Sequence, residues 1–115
     1  MSYQIETIAK FDKQLKTLAR KYPSIKDDFL ELVTLLAENP FSGTLLFNDV
    51  YKIRMKIASK GKGKSGGARI IYFNLFAQRN VDKIVLISIY DKSDMESISE
   101  KEIKRALKMI NELNN

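Results

Sequence analysis

Between Tyr51 and Val81 the chain carries eight basic residues and no acidic one: Lys52, Arg54, Lys56, Lys60, Lys62, Lys64, Arg69 and Arg79. The whole chain is +6, so this segment at +8 leaves −2 for the remainder. Positive charge is therefore local, and a focused cationic surface steers in polyanions and raises their local concentration. The polyanion this points to is a nucleic acid, RNA in particular. Lys52, Arg54 and Lys56 alternate with Ile53, Met55 and Ile57. On a strand such alternation puts the three cations on one face, roughly 7 Å apart, near the phosphate spacing of a nucleic-acid strand. A solvated face usually mixes signs to relieve repulsion, and this one does not. Arg69 can grip a phosphate with two donors, and Tyr72 can stack on an unpaired base. On a flat strand Arg69 and Tyr72 cannot both face outward without a bulge, which Gly66-Gly67 could supply.

Two competing chemistries are set aside. The string Ala58-Ser59-Lys60-Gly61-Lys62-Gly63-Lys64-Ser65 formally resembles a phosphate-binding loop. Such a loop must open a helix, whereas here Ala68-Arg69-Ile70-Ile71-Tyr72 continues as a strand. Asp91 and Asp94 could suggest a metal site, but Lys92 lies between them and the chain has no histidine or cysteine. A loop entering the last helix is the expected reading, with no metal and no cofactor. Lack of histidine also removes the usual neutral-pH base, so proton transfer falls to Lys, Tyr, Asp or Glu.

The elements that position these residues follow from periodicity. At 115 residues one domain spanning 1–115 is expected. The N-terminus lacks a basic, then apolar, leader and no apolar run reaches ~20 residues, so a cytoplasmic chain without a membrane span is expected. Residues 3–8 read as a first strand. Phe11, Leu15, Leu18 and Tyr22 recur at helical spacing up to Pro23. Ser24 is expected to cap a second helix, with Asp27 and Asp28 at its positive end and Ile25, Phe29, Leu32, Val33 and Leu36 buried. Asn39-Pro40 stops it. Residues 50–58, 68–76 and 83–90 read as strands, with a basic loop at 60–67 and a turn at 78–82. Ser99 to Glu102 fits a capping box opening a last helix that buries Ile103, Leu107 and Ile110. The expected fold is α+β: an N-terminal strand and a two-helix hairpin packed on a largely antiparallel sheet, with a C-terminal three-stranded meander and a final helix.

Three stretches carry a resemblance: Lys52-Ile53-Arg54-Met55-Lys56, the glycine-rich string at 62–72 ending in Arg69 and Tyr72, and Ile89-Tyr90-Asp91-Lys92-Ser93. Over nearly its whole length the chain resembles the RelE/ParE toxin superfamily, most of all its HigB-like branch. The resemblance implies a toxin that enters the ribosomal A site, against ribosomal RNA, and cuts the exposed codon of the mRNA. It also implies a cognate antitoxin that wraps the toxin and covers the basic face. On this reading Lys52, Arg54, Arg69 and Lys92 are the catalytic residues, and Lys56, Lys60, Lys62, Lys64, Tyr72 and Tyr90 contact RNA. The family's tyrosine or histidine near the C-terminal helix falls at about Ile98 to Ser99, which carry neither. The alternatives are a gyrase-inhibiting ParE-like toxin or a basic RNA-binding module.

Overall fold

Among the described residues, five strands form one mixed sheet in the order β1-β5-β4-β3-β2: β1 (Gln4–Thr7), β2 (Thr44–Phe47), β3 (Val50–Met55), β4 (Ala68–Asn74) and β5 (Lys83–Asp91). Only β1 runs parallel to its neighbour β5; the other pairings are antiparallel. Helices α1 (Ala9–Lys21), α2 (Ile25–Glu38) and α3 (Glu100–Leu113) accompany the sheet, with a 3₁₀ turn at Ala58–Lys60. This computed structural model describes residues 3–61, 63, 66–75, 82–95 and 97–113. Lys62, Lys64, Arg79 and most of the 78–82 turn lie outside the described residues. Among the described residues no helix is long and apolar enough to cross a membrane.

The α+β architecture matches the sequence expectation, and each element has a local cause. In α1 the buried Phe11 and Leu18 recur at helical spacing, and Pro23 follows its end. In α2 Ile25, Leu32 and Leu36 are buried, and the helix stops before Asn39-Pro40. Each such side chain contributes roughly 1.5–3 kcal/mol on leaving water. In α3 Ile103 and Ile110 enter the same core, and the Ser99 hydroxyl accepts the Glu102 amide at 3.2 Å. Glu102 itself turns away to Lys10 of α1, so half of the capping box forms.

Two expectations are corrected. Ser24 does not cap α2: its backbone is already helical, and its hydroxyl donates to Asp28 at 2.6 Å while accepting the Ser59 amide at 2.9 Å. Asp28 is not an exposed partner for the helix end; it is buried and also accepts the Ala58 amide. Together they staple α2 to the turn that follows β3. The other difference is β2, a strand absent from the sequence reading. It pairs with β3 through a two-residue hairpin at Asn48 and Asp49, whose φ values of 40° and 64° are the left-handed conformation such a turn requires. Asn and Asp tolerate that conformation, so Phe47-Asn48-Asp49-Val50 was the signal for it.

Gly67 joins the basic loop to β4. A Cβ there would collide with the Met55 carbonyl oxygen of β3, so only glycine lets β4 approach. Gly67→Ala is expected to destabilise the fold by about 1–3 kcal/mol, because rigid backbone must give way. Urea unfolding checks this.

A cationic row that runs into the sheet

Strand alternation and register define the two sheet faces. Opposite pairs align Arg54 with Arg69 and Arg69 with Tyr90; the next row aligns Lys52, Ile71 and Ser88. Directly opposed residues hold their Cβ atoms roughly 5 Å apart. One face therefore carries Arg54, Arg69 and Tyr90 side by side across the three central strands. The other face carries Ile53, Met55, Ile70 and Ile89, all buried.

The row changes character along its length. Arg54 and Lys56 are exposed and Lys52 is half-buried, whereas Arg69 is 4 % exposed and Tyr90 5 %. Among the described residues no ion pair involves Lys52, Arg54 or Lys56. Arg69 donates to the Ala68 carbonyl at 3.1 Å. Burial lowers the Arg69 guanidinium from its ordinary value, Arg54 lowers it further, and Tyr90 opposes both. A guanidinium nonetheless stays charged at neutral pH. Arg54 and Arg69 thus set two like charges opposite each other on adjacent strands, an arrangement that favours an anion beside them. Lys52, Arg54 and Lys56 also rim a cleft of about 800 Å³ whose far wall is Leu32, Leu35 and Glu31 of α2.

Tyr90 closes the row. Burial raises its phenol above the ordinary value, and Arg69 partly offsets this. Its hydroxyl has no hydrogen-bond partner among the described residues. A buried tyrosine hydroxyl usually finds one, and an unsatisfied group costs about 1–3 kcal/mol. Lys92, two residues on, is exposed, and its amide donates to the Gly67 carbonyl at 3.2 Å.

Three expected RNA contacts are corrected by placement. Tyr72 is fully buried on the opposite face and stacks on Tyr51 with ring centroids 5.3 Å apart. Its hydroxyl donates to the Pro40 carbonyl at 2.8 Å and accepts the Gly43 amide at 3.0 Å. Burial pushes this phenol up to about 12, so it remains a structural donor with no open ring face for a base. Lys60 also turns away, donating to Asp91 Oδ1 and Ser93 Oγ, each at 2.6 Å, with its side chain 11 % exposed. A lysine so neutralised adds little to the cationic face. Tyr90 is too buried to serve as an open stacking platform. Lys62 and Lys64 lie outside the described residues.

The sequence reading missed the cluster that receives Lys60. Asp91 is buried, accepts from Lys60, from the hydroxyl of Tyr22 just past the end of α1 and from the Ser93 amide, and lies 3.9 Å from Lys21. Burial alone would raise its carboxyl, but these hydrogen bonds and the Lys60 charge outweigh it and hold the group well below the usual carboxylate range. Asp91 alternates with Tyr90 on β5, so the cluster anchors the strand end from the face opposite the row.

The chain matches the family model described as RelE toxin of RelE / RelB toxin-antitoxin system over residues 9–115. Its fold is similar to that of a free-state arginine double mutant of the Escherichia coli toxin RelE, with a TM-score of 0.61 and 18% identity, covering 96% of this chain and 99% of that one. The isolated E. coli RelE toxin gives 0.58 at 17% identity, covering 95% and 99%. The intact E. coli RelBE toxin-antitoxin complex gives 0.58 at 16%, covering 78% and 96%.

Proposed function

This chain belongs to the RelE toxin family, and from that premise we propose that it is the toxin of a type II toxin–antitoxin pair, cutting mRNA on the ribosome and held in check by a cognate antitoxin. The observation that carries the nuclease reading is the Arg54–Arg69 cross-strand pair: adjacent guanidinium groups, one exposed and one buried, on a face where Lys52 and Lys56 continue the charge. Cleavage needs attack of a ribose 2′-hydroxyl on the adjacent phosphate, with charge building on the phosphorane oxygens. Fixed cations in a partly dry site are worth most where that charge develops. Arg54 captures the backbone at the rim and Arg69 meets the reacting phosphate. Lys52, Lys56 and Lys92 extend the grip along the message. The ribosome supplies the in-line geometry.

The antitoxin reading is supported by the RelBE complex, whose toxin shares this fold. A partner covering Lys52, Arg54 and Lys56 would relieve their repulsion and block the message at once.

One observation favours a second reading, a non-catalytic binder such as a gyrase-directed toxin. Ile98, where the resemblance implies a tyrosine or histidine, is an apolar residue packed into the core. Inducible expression without antitoxin, followed by primer extension on a translated reporter, separates the two. The expected result is cuts within codons that vanish when translation is blocked. Growth arrest with intact mRNA would replace the nuclease with the binder, and co-expressed antitoxin should restore growth in either case.

A further inference from the structure

We propose that the outer face of α1 docks on the phosphate backbone of folded ribosomal RNA, so that ribosome and message are held by two separate cationic surfaces; the inference rests on the ribosome reading above. Residues 9–21 carry five basic residues, Lys10, Lys13, Lys16, Arg20 and Lys21, and one acidic residue, Asp12. Summed over the chain this excess is hidden, because α2 carries Asp27, Asp28, Glu31 and Glu38. The cations at the two ends of α1 are engaged within the fold. Lys10 pairs with Glu102 at 3.3 Å, and Lys21 lies 3.9 Å from Asp91 and 3.8 Å from Asp94. Between them Lys13, Lys16 and Arg20 are exposed, and among the described residues none of the three forms an ion pair. At 3.6 residues per turn they line the side of α1 opposite the buried Phe11 and Leu18. Asp12, the acid beside them in sequence, accepts the Thr7 hydroxyl at 2.6 Å.

Geometry separates this stripe from the row. The α1–α2 hairpin covers the sheet face opposite the row, where Tyr72 meets Pro40 beyond α2 and Asp91 meets Tyr22 just past α1. The solvent side of α1 therefore belongs to a different surface from Lys52, Arg54 and Lys56. From Lys13 to Arg20 the stripe covers roughly 10 Å of helix, the axial length of about three phosphates on one strand of a duplex. Lys26 of α2 continues the charge: with Lys16 it borders a groove of about 310 Å³ between the two helices, lined also by Leu15 and Phe29. The one aromatic residue of α1 is the buried Phe11, so the stripe offers no ring on which an unpaired base could stack. That favours a paired RNA backbone, recognised by shape and charge, over a second single strand. Docked through α1, the protein keeps the row open to the message.

Replacing Lys13, Lys16 and Arg20 together by Gln removes the charge and keeps polar, exposed side chains. In co-sedimentation with ribosomes carrying no message, the triple variant is expected to bind at least about 10-fold more weakly than the native protein, with a log–log salt slope shallower by about 2–3. In single-turnover cleavage its half-saturating ribosome concentration should rise in step, while the rate at saturation and the thermal midpoint stay native. Lys13→Arg with Lys16→Arg keeps the charge and should dock as the native protein does. Native-like docking by the triple variant would overturn the proposal. So would a lower rate at saturating ribosome, because the loss would then lie in the reaction. A triple variant that loses affinity for the co-expressed antitoxin and keeps it for the ribosome would assign the stripe to the protein partner instead, and overturn the proposal too. A native protein that does not sediment with ribosomes would overturn the ribosome reading itself.

Discussion

Arg69→Ala is expected to slow mRNA cleavage by about 10²–10³-fold, the usual loss when one preorganised donor to a developing anion is removed. The size of the effect follows from where Arg69 sits. At 4 % exposure its charge is poorly screened by water, whereas the exposed Arg54 acts through solvent. Arg54→Ala should therefore cost less, mainly in binding. Arg69→Lys should recover little, because an ammonium lacks the planar fork that spans two phosphate oxygens. Arg69→Ala should change stability only modestly. Burial and Arg54 both work against the Arg69 charge, so deleting it relieves repulsion while losing the hydrogen bond to the Ala68 carbonyl and the packing of its stem, a net change within about 2 kcal/mol. Single-turnover cleavage and thermal unfolding of the same preparation test both halves. Full toxicity of Arg69→Ala in cells would remove Arg69 from the mechanism, and unfolding of the variant would make it a structural residue.

The fold was legible where one physical rule decided the outcome. Alternation assigned Ile53, Met55 and Ile57 to the core and Lys52, Arg54 and Lys56 to the other side, and all six lie as that rule requires. Helical spacing identified Phe11, Leu18, Ile103 and Ile110 as core residues, and they are buried. What the sequence could not reveal depends on partners far along the chain. Lys60 reads like its neighbours in the basic loop, yet a carboxylate 31 residues away captures it. Asp91 reads as one acid in a polar loop, but α1 and the turn after β3 close over it. Alternation already set Arg69 and Tyr72 on opposite faces of a flat strand, but only the pairing with β5 shows which of them joins the cationic row, and that Arg69 faces Tyr90. The β2 hairpin was missed for a different reason: Asn48-Asp49 lacks the glycine that usually marks such turns.

Asp91→Asn tests whether the buried cluster behind the row is held by charge. The substitution keeps the shape but leaves Lys60, 11 % exposed, without its counter-charge. Breaking a buried pair from one side costs about 3–5 kcal/mol, enough to lower the thermal midpoint by at least ~10 °C in a domain of this size. The pH dependence identifies the cause. The folded Asp91 carboxyl titrates below its ordinary 3.8, so as acidity rises the unfolded chain takes up this proton first. Its contribution is therefore complete above roughly pH 5 and drains as the pH falls past 3.8 toward the folded-state value. Urea unfolding of the native protein and Asp91→Asn should show the same stability gap at pH 7 and pH 5 and a narrower one at pH 3. A gap that persists undiminished at pH 3 would mean that the hydrogen bonds, not the charge, hold the cluster. Lys60→Met in the native and Asp91→Asn backgrounds completes the comparison. If the pair acts as a unit, the double variant should be far less destabilised than the sum of the single changes, because neither charge is then buried alone.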